Sequence, residues 1–113
     1  MDNTVRADTT EGAIKAYLPK NTVFYDLVNF FGVFSDLTRI KLLSCLSISE
    51  MCVTDLTRIL GLNQTTVSHQ LKILRDAGFV GYRRDGKLLF YRIVNKYIND
   101  VMFIGASYLD STR

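Results

Sequence analysis

VTDLTRILGLNQTTVSHQLKILRDAGF, residues Val53 to Phe79, decides the fold of this chain. It reads as a short helix, a tight turn containing Gly61, and a second helix with two unlike faces. One face is apolar. The other carries small hydrogen-bonding side chains and a cation. A segment built this way seats its first helix on a core and offers the second to the major groove of DNA. A basic hairpin follows at once, YRRDGKLLFYR from Tyr82 to Arg92. The expected fold is therefore mainly α with a small β-hairpin wing: a winged helix-turn-helix of about five helices plus a two-stranded wing, assembled as a dimer.

On a wheel of about 100° per residue, Val67, Leu71 and Leu74 fall on the core side of the second helix. Thr65, Ser68, His69 and Lys72 fall opposite. Threonine and serine donate or accept, and the threonine methyl suits a thymine. Histidine offers a donor and an acceptor, and Lys72 reaches a guanine edge or a phosphate. Asn63 is placed to cap this helix. Gln64 and Thr66 stand in its first turn, where recognition helices touch bases and where backbone N–H groups suit a phosphate. The recognition helix is expected over about 64–77. The wing is expected over 79–93, with Arg83, Arg84 and Lys87 near its turn as further DNA contacts. Arg83 and Arg84 are adjacent, so in a strand they point to opposite faces. The plainer alternative for these cations is an edge strand protected by charge.

Outward from this core, the chain has 113 residues, enough for one small domain. Residues 1–20 are polar and weakly periodic, with the only proline at Pro19. They are expected to form a mobile arm, and residues 21–113 the DNA-binding and dimerisation domain. Asn21 is placed to cap a first helix with Val23, Phe24, Leu27, Phe30, Phe31 and Phe34 at helical spacing. Asp36 is placed to cap a second, with Leu37, Ile40, Leu43 and Leu46 expected inward. Strands Phe79–Arg84 and Lys87–Ile93 are expected to meet across Asp85-Gly86. Asn95 is placed to cap a last helix bearing Tyr97, Ile98, Val101, Met102, Gly105, Tyr108 and Leu109.

The first and last of these helices are apolar over more than one face. A chain this small has too little interior to cover both. A homodimer is expected to bury them, with Phe24, Leu27, Phe31, Ile98, Val101, Met102, Gly105, Tyr108 and Leu109 at the interface; the plainer alternative is that both helices cover one small core. Gly105 and Ala106 allow close helix approach there.

The charge balance is mildly basic: 14 Lys and Arg against 11 Asp and Glu, a net +3. That permits nucleic-acid binding without requiring it. No apolar run approaches the ~20 residues of a membrane span, and MDNTVRADTTEG has no signal-peptide core. The expected location is the cytoplasm, with no membrane partner. Two cysteines, Cys45 and Cys52, do not make a secreted disulfide framework. No nucleophile–base constellation or phosphate loop marks an enzyme, and no cofactor is expected. A winged helix used only for protein docking or dimerisation is the alternative, but its outer face would be more apolar than Thr65, Ser68, His69 and Lys72.

FSDLTRIKLLSCL, EMCVTDLTRILGLNQTTVSHQLKILRDAGFV, the DGK turn and LLFYRI together resemble the ArsR/SmtB family of bacterial and archaeal winged-helix repressors. The resemblance covers about Phe30 to Leu109. It implies a homodimer joined through its first and last helices, a palindromic operator, and release when an effector binds. One metal site of that family uses a cysteine pair in a motif of the form ELCVCDL. Here the motif reads EMCVTDL, so Cys52 matches the first cysteine and Thr54 replaces the second. A second site uses Asp-x-His and a later His, and the matching positions hold Asn95, Tyr97 and Tyr108. The only histidine is His69, on the DNA face. The expectation is that neither metal site is complete and that the residues name no effector. Cys52 has two readings: a helix cap without chemistry, or a thiol responsive to oxidants or a soft metal.

Overall fold

The computed structural model describes residues 10–113. Its elements are α1 (Gly12–Tyr17), α2 (Asn21–Val33), α3 (Leu37–Ile48), α4 (Val53–Leu60), α5 (Gln64–Asp76), β1 (Val80–Asp85), β2 (Leu88–Ile93) and α6 (Lys96–Ser111). The chain divides into two compact units between Phe30 and Phe31.

The first unit holds α1 and most of α2. Of the arm expected over 1–20, residues 1–9 lie outside the described residues. Residues 12–17 form α1, a helix the sequence reading does not give. Its single turn and a half buries no side chain, and among the described residues its one ion pair is the exposed Lys15–Glu11 contact of 3.5 Å. Asn21 lies inside α2 and does not precede it. The carbonyl of Lys20 accepts from the N–H groups of Val23 and Phe24, so that residue opens the helix.

The second unit is built on caps that the sequence displays. Asp36 accepts from the Arg39 N–H at 2.9 Å, Asn63 from the Thr66 N–H at 2.7 Å, and Asn95 from the Tyr97 N–H at 2.8 Å. Each satisfies a donor that the first helical turn leaves open. Helix α4 ends at Gly61 with φ 65°. A Cβ at that angle crowds its own backbone at a cost of about 1–2 kcal/mol, so glycine is favoured. The Leu62 N–H then closes back on the Thr57 carbonyl at 3.1 Å.

Helices α3, α4 and α5 pack together and the hairpin closes the fourth side. Leu42, Leu43, Leu56, Val67, Leu71 and Leu74 are fully excluded from solvent. Phe79 joins them, its ring 5.1 Å from that of Phe34. The inward set of α3 differs from expectation. Leu37 is 71% exposed and Leu42 takes its place inside, buried with Leu43, Leu46 and Cys45, a cysteine that stands where a core residue is expected. On a 100° wheel the last four share a stripe and Leu37 lies nearly opposite its centre. The spacing of Leu37 from Ile40 fits a helix but selects the wrong face.

The hairpin turns one place later than expected. Asp85 pairs with Leu88, so the loop is Gly86-Lys87. Only Gly86 has positive φ, at 62°. A positive angle at the first loop position alone is the sign pattern of a type II′ turn, which needs glycine there. Met51 also joins the sheet: its N–H reaches the Tyr91 carbonyl at 3.1 Å, and the Tyr91 N–H reaches the Met51 carbonyl at 2.8 Å. The connection from α3 to α4 is thus laced to the outer edge of β2. The architecture is a winged helix-turn-helix.

Candidate nucleic-acid interface

Helix α5 turns Val67, Leu71 and Leu74 into the core. Geometry then forces the opposite stripe into solvent, and Thr65, Ser68, His69 and Lys72 are all exposed there, with Gln64 and Asn63 beside them. Thr66 is half-buried, and its N–H is bound by the Asn63 side chain. Asn63 therefore spends its carbonyl oxygen on the cap and keeps only its amide N–H groups for another partner. Replacing Asn63 with alanine is expected to cost about 1 kcal/mol of stability. Urea unfolding should show this as a lower midpoint with an unchanged slope.

Lys72 is not free in the isolated chain. Its ammonium donates to Asp76 at 2.8 Å along the same helix. That hydrogen bond, with the charges of Lys72 and Arg75, holds the Asp76 carboxyl below its ordinary value against the opposing effect of desolvation. The pair is well exposed and joined by a single hydrogen bond, so exchanging the carboxylate for a phosphate gives up less than breaking a forked pair would, though it leaves Asp76 unpaired beside the DNA.

Orientation of α5 comes from a residue the sequence reading does not single out. Arg39 donates from Nε to the Val33 carbonyl at 2.8 Å and from Nη1 to the Gln70 side-chain oxygen at 3.0 Å. It ties the end of α2 and the start of α3 to the middle of α5. Arg75 is a second such residue: its guanidinium stacks 5.4 Å over the Tyr82 ring and links α5 to the wing. Tyr82 also packs on Tyr91, centroids 5.5 Å apart. Both tyrosines thus serve packing within the hairpin and against α5.

The wing cations divide. Arg83 forks onto Glu50, with Nη2–Oε1 at 2.6 Å and Nε–Oε1 at 3.0 Å. The hydrogen bond from Arg83 holds the Glu50 carboxyl below its ordinary value, opposed by desolvation and helped by the charges of Arg83 and Arg92. Arg84 and Lys87 are exposed and take part in no ion pair among the described residues. Nothing local marks the difference, because Glu50 and Arg83 stand 33 positions apart.

Among the described residues, no three His, Cys, Asp or Glu side chains converge as a metal site. Cys52 stands at the N-cap of α4 without capping it. Its Sγ instead donates to Asp55 Oδ2 at 3.3 Å, and it is only 7% exposed. Burial pushes the Cys45 thiol up, away from the thiolate that would react. Asn95 spends its side-chain oxygen on the α6 cap, and Tyr97 and Tyr108 are exposed.

Of the residues expected at a dimer interface, Phe24, Leu27, Phe31, Tyr108 and Leu109 are exposed. Phe31, Val101, Met102, Gly105 and Leu109 line a groove of about 380 Å³ with Phe34 and Ile40 of the same unit. Ile98 is different: at 4% exposure it belongs to the chain's own core and has no surface left for a partner.

The model of the arsR family of bacterial regulatory proteins matches residues 36–82. A transcriptional repressor SmtB homolog of Synechocystis is 36% identical over 72 residues, 64% of this chain. The match spans 54% of that protein's length, about half of it. The crystal structure of the AntR antimony-specific transcriptional repressor superposes with a TM-score of 0.77 at 30% identity, covering 84% of this chain and 86% of that one. A homodimeric winged helix-turn-helix DNA-binding domain from Mycobacterium bovis gives a TM-score of 0.74 at 25% identity, covering 84% and 89%.

Proposed function

The chain belongs to the arsR family of bacterial regulatory proteins, and we propose that it is a sequence-specific transcriptional repressor that binds a palindromic operator as a homodimer. One observation carries this reading. A rigidly capped α5 turns Gln64, Thr65, Ser68, His69 and Lys72 outward in one stripe, beside a hairpin with uncommitted cations at Arg84 and Lys87. Such a helix enters the major groove with its first turns against base edges while the wing meets flanking backbone. The first-turn N–H groups of Gln64 and Thr65 suit a phosphate.

Dimerisation is supported by the exposed Phe24, Leu27 and Phe31 of α2, the exposed Tyr108 and Leu109 of α6, and the groove beside Gly105. Apolar surface of that kind rarely stays unpaired. The Mycobacterium bovis relative is homodimeric. Two copies related by a two-fold axis present two α5 helices, which is why the operator is palindromic.

The AntR relative is antimony-specific. In this chain Thr54 replaces the second cysteine of the family's thiolate pair, and Asn95, Tyr97 and Tyr108 replace the carboxylate and imidazoles of its other site. Asparagine amides and tyrosine phenols are poor zinc ligands. The repressor is therefore without the usual metal response. It acts in the cytoplasm, and no helix among the described residues is long and apolar enough to cross a membrane.

Fluorescence anisotropy with duplexes tiling the chain's own promoter tests this. One duplex is expected to bind about 10³-fold or more tighter than scrambled DNA, with log K falling linearly as log salt rises. Zinc or arsenite in the buffer is expected to leave that affinity unchanged. Equal affinity for every duplex would rule out a specific repressor.

A further inference from the structure

The two central arginines of the wing leave β1 on opposite faces and meet unlike surroundings. Tyr82 and Arg84 share one face, with Leu89 and Tyr91 across from them. Arg75 of α5 stacks over Tyr82, so this is the face that adjoins the recognition helix. Arg83 leaves the other face with Phe90 and Arg92. There its guanidinium lies 4.7 Å over the Phe90 ring, reaches both oxygens of Glu50 at 2.6 to 3.2 Å, and stands 3.9 Å from Asp85. Glu50 adjoins Met51, the residue bonded through both backbone groups to Tyr91. A fork, a ring and a backbone bridge thus converge where the α3–α4 connection meets the hairpin.

We infer that Arg83 is a positioning residue and not a phosphate contact: with Glu50 it braces the wing against the segment that leads into α4, and leaves Arg84 and Lys87 as the wing's contacts to nucleic acid. The inference rests on the DNA-binding reading for its second half and on the structure alone for its first. An exposed ion pair by itself holds little. Here both oxygens of one carboxylate are engaged, the guanidinium is stacked, and the strand beneath is pinned, so few side-chain rotamers remain to be lost. Turning Arg83 to a phosphate would also leave the Glu50 carboxylate unpaired beside a polyanion, a like-charge contact that opposes binding. Arg84 carries no such penalty.

The test uses the full chain in two measurements. The first needs no DNA: amide hydrogen exchange of the Met51 and Tyr91 bridge. Arg83→Gln is expected to speed exchange several-fold, Arg84→Gln to leave it unchanged, and the charge swap Glu50→Arg with Arg83→Glu to restore it. Unaltered exchange in Arg83→Gln overturns the brace. The second is the slope of log K against log salt on the bound promoter duplex. Arg84→Gln is expected to reduce it by about one per subunit. Arg83→Gln is expected to leave the slope intact while weakening affinity a few-fold, and the swap to recover affinity. A slope lost equally in Arg83→Gln, with no recovery in the swap, assigns Arg83 to a phosphate and overturns the inference. Absence of any salt-dependent binding by the unaltered chain fails the DNA-binding reading instead, and the exchange data still decide the brace.

Discussion

Leu71→Ala is expected to destabilise the folded chain by about 2–5 kcal/mol. Leu71 is fully excluded from solvent at the middle of α5, which packs on both α3 and α4. Truncation removes the transfer free energy of its methyl-bearing carbons. It also leaves a cavity that three crossing helices cannot collapse to fill. Small domains have only about 5–15 kcal/mol in total, so this one change removes a large share. For a chain of this size each kcal/mol moves the midpoint by about 4–8 °C, which places the fall in Tm at about 8 °C or more. Circular dichroism melts at one fixed protein concentration check it, because the proposed dimer would couple Tm to concentration. Leu71→Met, which keeps the volume, is expected to cost under about 1.5 kcal/mol. Equal melting of the alanine variant and the parent would mean that α5 is not seated as described.

Ser68→Glu is expected to do the reverse: leave Tm within a few degrees and lower affinity for the operator by two orders of magnitude or more. Ser68 is exposed at the centre of the outward stripe, between Thr65 and Lys72, and none of the side-chain hydrogen bonds that brace the helix involves it. A surface substitution away from caps and core changes stability by about 0.5 kcal/mol or less. Against DNA the carboxylate meets phosphates and the acceptor-rich floor of the groove, and like-charge juxtaposition costs several kcal/mol. In a two-fold complex that cost is incurred twice. Anisotropy titration gives the affinity and a melt gives the control. An affinity within threefold of the parent would remove α5 from the interface.

These two residues belong to one helix, three positions apart, and show how much of the site the sequence displays. On a wheel of period 3.6 they stand only about 60° apart, and it is the apolar stripe of Val67, Leu71 and Leu74 that draws the boundary between them, with Leu71 inside it and Ser68 just outside. Asn63 before the helix and Gly78 after it bound that period by local chemistry. The Gly61 turn is equally local, since only glycine takes its φ of 65° without strain. Helix α3 shows where periodicity falls short: Leu37 and Leu42 are both leucines, and only the position of neighbouring helices makes one a surface residue and the other core. Helix α1 was illegible for another reason. Its six residues bury nothing, and a turn and a half is too short for a helical period to be told from chance.

The wing marks the boundary most sharply. Its existence, its glycine and its cations are properties of a contiguous stretch. Which cation is free is not, because a partner for Arg83 had to come from 33 positions away. By itself the sequence determined a helix-turn-helix with a basic hairpin, the outward stripe of the recognition helix, and the loss of the family's thiolate pair at Thr54. The first two follow from interactions that span a helical turn or a two-residue loop, whose geometry is the same in any context, and the third from setting the chain beside the family's motif. The tertiary structure alone decided that Arg83 is bound to Glu50, that Met51 laces the helix connection to the sheet, and that Ile98 belongs to the core of its own chain. Those facts depend on loop closure and on packing between distant segments, and no local pattern encodes where two such segments meet.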